Sequence, residues 1–144
     1  MRRPVAIIAL AGLLAGCSFP DTSVLDDPEP VQQHVVLEVS LENARPEFYD
    51  LDVMWLDGDA EANERVPGDV VWKRNTTLTW PDQYLVYAEG DAAKKPGVDD
   101  LLAYAQGVPY VHCSITINGR VVVKSDLGSC RFDLGATPIP VPSG

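Results

Sequence analysis

The stretch from Cys113 to Lys124, CSITINGRVVVK, predicts the fold more directly than any other part of the sequence. Two runs rich in β-branched residues, 114–117 and 120–123, flank the dipeptide Asn118-Gly119. Both turn residues tolerate the positive φ values of a type I′ turn, whose twist matches that of a two-residue β-hairpin. The stretch therefore predicts a hairpin with these residues on one face: Cys113, Ile115, Ile117 and Val122.

Strand-like alternation of apolar and polar residues recurs on both sides of this hairpin. On its N-terminal side the candidate strands are residues 35–42, 49–55, 69–74, 76–80 and 83–89. On its C-terminal side, Cys130, Phe132 and Leu134 form the apolar face of a strand that follows Gly128. About seven strands separated by turn signals predict an all-β, immunoglobulin-like sandwich.

One segment has a different pattern. Residues 98–106, VDDLLAYAQ, are rich in helix formers, begin with acids and are followed by Gly107. These are the start and stop signals of a helix, so we expect one short helix or helical loop between strands. Asp99 and Asp100 are then assigned to the helix start rather than to a catalytic pair of carboxylates.

The N terminus carries an export signal. Arg2 and Arg3 precede the apolar run Val5–Leu14, which is too short to span a bilayer as a helix. The sequence Leu14-Ala15-Gly16-Cys17 resembles the lipobox of bacterial lipoprotein signal peptides. The resemblance implies that residues 1–16 are removed and that Cys17 carries the acyl chains. We therefore expect an extracytoplasmic protein with a stable lipid anchor in the cell membrane.

The net charge argues against nucleic acid and anionic lipid as partners. The chain has 21 acidic residues against 11 basic ones, a net charge of −10. Loss of Arg2 and Arg3 with the signal peptide leaves 9 basic residues and a charge of −12. The sign opposes binding to nucleic-acid phosphates and to anionic lipid, so the acyl chains alone hold the domain to the membrane.

The odd number of cysteines has a simple explanation. With Cys17 used for the lipid, Cys113 and Cys130 remain as an even pair in a compartment that permits disulfides. Both lie on the inward faces of neighbouring predicted strands. We expect one disulfide between them.

Composition divides the rest of the chain. Residues 17–33 are rich in Pro, Asp and Ser and predict a lipidated, flexible tether. Residues 34–134 form the sandwich. Residues 135–144 carry prolines at 138, 140 and 142, which forbid a central strand and favour a solvated tail.

Residue patterns typical of catalysis are scarce. The chain has two histidines, His34 and His112, and lacks the Gly-x-Ser-x-Gly, phosphate-loop and His-Glu-x-x-His motifs. Asp57, Asp59, Glu61 and Glu64 do not have the spacing of a calcium loop, and a solvated hairpin end is expected there. We expect a protein without enzymatic activity, bound metal or cofactor.

The large aromatic residues are the remaining candidates for a site. Most are expected in the core, but a few could line a hydrophobic slot or a surface for a partner. The candidates are Trp72, Trp80, Tyr84 and Tyr87. Trp80 is expected to be the most exposed, because it lies at a strand end before Pro81.

In order along the chain, several segments resemble the mycobacterial membrane protein small (MmpS) family. They are residues 35–42, 53–59 (VMWLDGD), 70–73 (VVWK), 85–91 (LVYAEGD), 113–122 (CSITINGRVV) and the late Cys130. The resemblance implies a small extracytoplasmic β-sandwich that assists a large RND-type exporter of siderophores or envelope lipids. Residues 92–110 have no counterpart in the family pattern, and the family usually has a transmembrane anchor instead of a lipobox.

Three functions remain open after the sequence has been considered. The first is a non-enzymatic, lipid-anchored envelope protein that assists an exporter or another envelope complex. The second is a module that binds a small hydrophobic ligand or lipid. The third is a structural surface lipoprotein without a dedicated ligand.

Overall fold

The computed structural model describes residues 27–58, 60–105 and 107–142. The expected signal peptide, Cys17 and most of the tether lie outside the described residues. The elements are β1 (Val31–Glu42), β2 (Tyr49–Asp57), β3 (Ala60–Pro67), β4 (Trp72–Trp80), β5 (Leu85–Lys94), α1 (Asp100–Ala105), β6 (Tyr110–Ile117), β7 (Arg120–Ser125) and β8 (Ser129–Asp133). In the part of the chain so described, no helix is long and apolar enough to cross a membrane.

The strands form two four-stranded antiparallel sheets, ordered β4-β1-β6-β7 and β3-β2-β5-β8. The predicted all-β sandwich is confirmed, with eight strands instead of about seven. The pairs β1–β4 and β2–β5 correspond to the B–E and C–F pairs of an immunoglobulin domain. The β6–β7 hairpin lies beside β1, on the side away from β4.

The two ends of the sandwich differ. Four connections cross between the sheets at one end, which we call the loop end: residues 43–48, 68–71, 95–109 and 126–128. The sheet orders place these connections side by side, because each joins strands at the same position in the two sheets. The opposite end, where β1 begins, is called the N-terminal end.

The strand missed by the sequence prediction is β3. It lies at a sheet edge, and only Ala62 and Val66 in it are partly buried against the core, so it has no clear alternation. Glu61 and Glu64, expected in a solvated hairpin end, belong to this strand. The two candidates at 69–74 and 76–80 are one strand, β4, and Val70 precedes it in an exposed turn.

The core consists of the apolar faces that the alternation predicted. Val35, Leu37 and Val39 of β1 face Leu51 and Val53 of β2, and all are buried. In the hairpin, Cys113, Ile115 and Ile117 are buried as expected. A register shift after Ile115 allows both Val122 and Val123 to pack partly against the core.

The expected disulfide is present between Cys113 in β6 and Cys130 in β8. It links the two sheets and closes a loop with a sequence separation of 17 residues. A cross-link of this span stabilises a fold by about 3 kcal/mol, chiefly by restricting the unfolded chain.

Part of the C-terminal segment packs against the sandwich, although residues 140–142 are exposed. The side chain of Ile139 packs against the core at the N-terminal end, and its backbone N–H donates to Gln33 Oε1. Asn118 Nδ2 donates to the carbonyl of Ile139, and Trp80 Nε1 donates to that of Gly135. β1 also begins at Val31, inside the expected tether, because residues from Val31 onward pair with the end of β4, and Gln33 is buried.

Candidate functional site

The four aromatic residues predicted to form a slot or surface do not come together. Trp72 and Trp80 are buried in the core, so the expectation that Trp80 is exposed is wrong. The hydrogen bond from Trp80 Nε1 to Gly135 explains its burial, since the C-terminal segment covers it. Tyr84 is exposed at the N-terminal end, and the Tyr87 hydroxyl donates to Glu61 on the outer face of a sheet.

Trp72 has a structural role instead. Its ring lies against that of Trp55, with centroids 4.9 Å apart, and its Nε1 donates to Glu64 at 3.0 Å. Arg74 covers Trp55 with its guanidinium 5.0 Å from the ring centroid and also pairs with Asp57. These contacts close the side of the sandwich where β3 and β4 form the sheet edges.

Exposed apolar side chains gather at the loop end. Of the eleven large exposed hydrophobic residues in the described chain, eight lie on its connections or at the first residue of β6. Val70 and Val71 belong to one connection. The others are Leu101, Leu102, Tyr104, Val108, Tyr110 and Leu127. We call these eight residues the apolar loop-end surface.

The predicted helix presents the largest part of this surface. Asp99 Oδ1 accepts a hydrogen bond from the Leu102 N–H, which is the expected helix-start contact. Gly107 ends the segment at φ +106°. Only Ala103 of α1 is buried, while Leu101 is 81% exposed and Tyr104 69% exposed. A helix of six residues is not stable alone, so α1 depends on its contacts with the rest of the fold. In that position Leu101 and Tyr104 point into solvent.

The turn at 126–128 presents another part of the surface. Leu127 is 92% exposed. The preceding residue, Asp126, accepts from His112 Nδ1 at 2.8 Å, and Glu42 accepts from Nε2 at 2.7 Å. Both ring nitrogens donate only in the imidazolium form. The carboxylates of Asp126 and Glu42 accordingly raise the pKa of His112.

This histidine contact joins three elements of the fold. Glu42 ends β1, His112 lies in β6, and Asp126 begins the turn after β7. Glu38, Lys124, Ser40 and Ser114 face the same outer groove. Because the two carboxylates lie on opposite sides of the ring, the arrangement is a double ion pair that holds the turn in place.

A second groove lies on the outer face of the β3-β2-β5-β8 sheet. It has a volume of about 320 Å³, and its walls include Met54, Asn63 and Glu89. Arg65 crosses it and donates two hydrogen bonds to Asp52, one of them at 2.6 Å. The guanidinium lowers the pKa of Asp52. Arg65 and Asp52 therefore satisfy each other within the groove.

Sequence reasoning missed the apolar loop-end surface. Its signal was present in Leu101, Leu102 and Tyr104 of the predicted helix, but alternation cannot tell which side of a six-residue helix faces the core.

No group of three or more His, Cys, Asp or Glu residues that could hold a metal ion occurs in the described ranges. No protein-family model matches the chain, and no curated protein matches it.

Proposed function

We propose that this is a non-enzymatic, lipid-anchored protein of the bacterial cell envelope that presents its loop end to another envelope protein. One observation carries the proposal: eight of the eleven large exposed hydrophobic residues lie at the loop end. Apolar side chains collected in this way are typical of protein interaction sites.

The position of the chain termini supports this arrangement. The described chain enters the sandwich at the N-terminal end, where β1 starts at Val31. Acyl chains on Cys17 would hold that end towards the membrane and leave the loop end free for a partner. The C-terminal segment packs Ile139 against the N-terminal end, whereas Leu101, Leu102 and Tyr104 of α1 are exposed in the described part of the chain.

The resemblance to the MmpS family narrows the role to assisting an RND-type exporter of siderophores or envelope lipids. The alternative of a ligand-binding module required the candidate aromatic residues to line one slot. Trp72 and Trp80 are core residues, and Tyr84 and Tyr87 lie on different parts of the surface. The structure therefore favours docking over enclosure of a ligand.

Complementation of a deletion strain tests the proposal. The strain receives the full-length chain, Cys17→Ala, the double variant Leu101→Ser/Leu127→Ser, or the control Val121→Ser, which alters an exposed apolar residue on β7 outside the loop end. Membrane fractionation and the amounts of exported siderophore and envelope lipid are measured. We expect Cys17→Ala to leave the membrane fraction and the double variant to stay there without restoring export.

Three results would contradict the proposal. One is a Cys17→Ala protein that still sediments with membranes. The second is full restoration of export by the double variant, and the third is an unchanged envelope in the deletion strain.

A further inference from the structure

We infer that the loop end binds a protein whose contact surface has an apolar centre bordered by lysine and arginine side chains. The inference rests on the proposed function, and it adds the chemistry of the partner. The apolar loop-end surface supplies the matching centre, and Leu101, Tyr104 and Leu127 are its most exposed members.

The charged residues around this surface are predominantly acidic. The segments 42–48, 68–71, 94–110 and 126–128 contain six acidic residues and three basic ones. The acidic residues are Glu42, Glu47, Asp69, Asp99, Asp100 and Asp126. The border of the apolar surface is therefore negative.

The three basic residues are already paired within the chain. Arg45 contacts Glu47, Lys94 contacts Asp100, and Lys95 contacts Asp50 of β2. Glu42 and Asp126 share one histidine. A partner therefore meets carboxylates in excess, and positive groups on its side gain complementary contacts.

The same charge argues against two other occupants. A second copy of the lipidated chain would bring an identical acidic border and a further net charge of −12 against the first. Anionic lipid headgroups would be repelled in the same way. A basic protein surface satisfies both the apolar and the charged parts of the loop end, and exposed tyrosines such as Tyr104 and Tyr110 suit a protein interface.

Photo-crosslinking in cells tests the inference with the full-length, membrane-bound chain. A photoreactive phenylalanine derivative replaces Leu101 or Leu127, and Val121 serves as an exposed control position outside the loop end. We expect adducts to one and the same protein from the first two positions and none from Val121. Mass spectrometry of the linked peptide should locate lysine or arginine residues around an apolar attachment site.

Salt and charge reversal test the electrostatic part in isolated membranes. Raising NaCl from 50 to 500 mM should lower the adduct yield about fivefold or more, because exposed charges are screened over a few ångströms at high salt. Asp69→Lys/Asp100→Lys should lower the yield at 50 mM NaCl by a similar factor. Asp82→Lys, at an exposed acid in the β4–β5 turn, should leave it unchanged.

Several outcomes would overturn the inference. They are adducts between two copies of the chain, adducts with lipid alone, absence of adducts from Leu101 and Leu127, and a yield that neither salt nor charge reversal changes. The result is separable from the proposed function. A protein adduct whose yield neither salt nor charge reversal changes refutes only the chemistry assigned to the partner, whereas an adduct that persists in Cys17→Ala refutes only the need for the anchor.

Discussion

At the scale of single residues, His112 and Asn118 each hold distant parts of the chain together through polar contacts. His112 joins β1 to the turn at 126–128, next to the apolar loop-end surface. Asn118 lies in the β6–β7 turn at φ +49°, and its side chain contacts Gln33, His34 and Ile139. One residue organises the loop end and the other closes the N-terminal end.

The first prediction concerns the pH dependence of the His112 contact. Its pKa is raised above the ordinary value of 6.5 by Asp126 and Glu42. A group whose pKa is higher in the folded state contributes stability that is fully present below its unfolded pKa. That contribution is lost as the pH rises through the folded-state pKa, so the chain should be less stable at pH 9 than at pH 6.

Urea unfolding of the purified chain and of His112→Asn at both pH values measures this effect. We expect the variant to lose less stability than the unaltered chain between pH 6 and pH 9, because asparagine does not titrate. His34→Asn is the matched control, since His34 makes its contact to Asn118 through its backbone N–H. Equal losses in the unaltered chain and His112→Asn would contradict the assignment.

At the scale of elements, the C-terminal segment is a structural part of the sandwich. It extends from the last strand across the N-terminal end and supplies Ile139 to the core. The amide of Asn118 and the buried side chain of Gln33 hold the backbone of Ile139 on both its N–H and its carbonyl. The prolines that exclude this segment from a sheet do not prevent it from packing.

The second prediction tests this network. Asn118→Gly keeps a residue that tolerates positive φ but removes every side-chain contact. It leaves the Ile139 carbonyl and the His34 backbone N–H without these partners and removes one of the two donors to Gln33 Oε1, which should lower the free energy of unfolding by about 2 kcal/mol. Asn43→Gly is the control, because Asn43 also has positive φ, +58°, and is exposed. Urea unfolding should show that the control loses less than about 0.5 kcal/mol of its free energy of unfolding. An equal loss in both variants would argue against the network.

The sequence predicted those elements whose faces differ strongly in polarity. β1, β2 and the β6–β7 hairpin were identified because one face of each is buried, and the inward positions of Cys113 and Cys130 led to the disulfide. β3 was missed because an edge strand such as AEANERVP is solvated along most of its length. The apolar loop-end surface could not be predicted either, because it depends on which four connections the sheet order brings to one end.

At the scale of the whole molecule, the fold separates stability from recognition. Part of the N-terminal end is covered by the chain's own C-terminal segment, which packs Ile139 against the core, although Tyr84 is exposed there. The loop end carries side chains such as Leu101 and Leu127 that contribute little to the core. A partner can therefore bind the loop end without competing with contacts that hold the sandwich together.

The third prediction follows from this separation. Leu101→Ser and Leu127→Ser should each change the free energy of unfolding by less than about 0.5 kcal/mol, because these side chains are exposed before and after folding. Ile139→Ser, at the N-terminal end, should lower the free energy of unfolding by about 1–2 kcal/mol because a partly buried apolar side chain is lost. Urea unfolding of the three purified variants makes the comparison. If the loop-end variants were destabilised as much as Ile139→Ser, the exposed leucines would belong to the fold, and a partner would not be needed to explain their position.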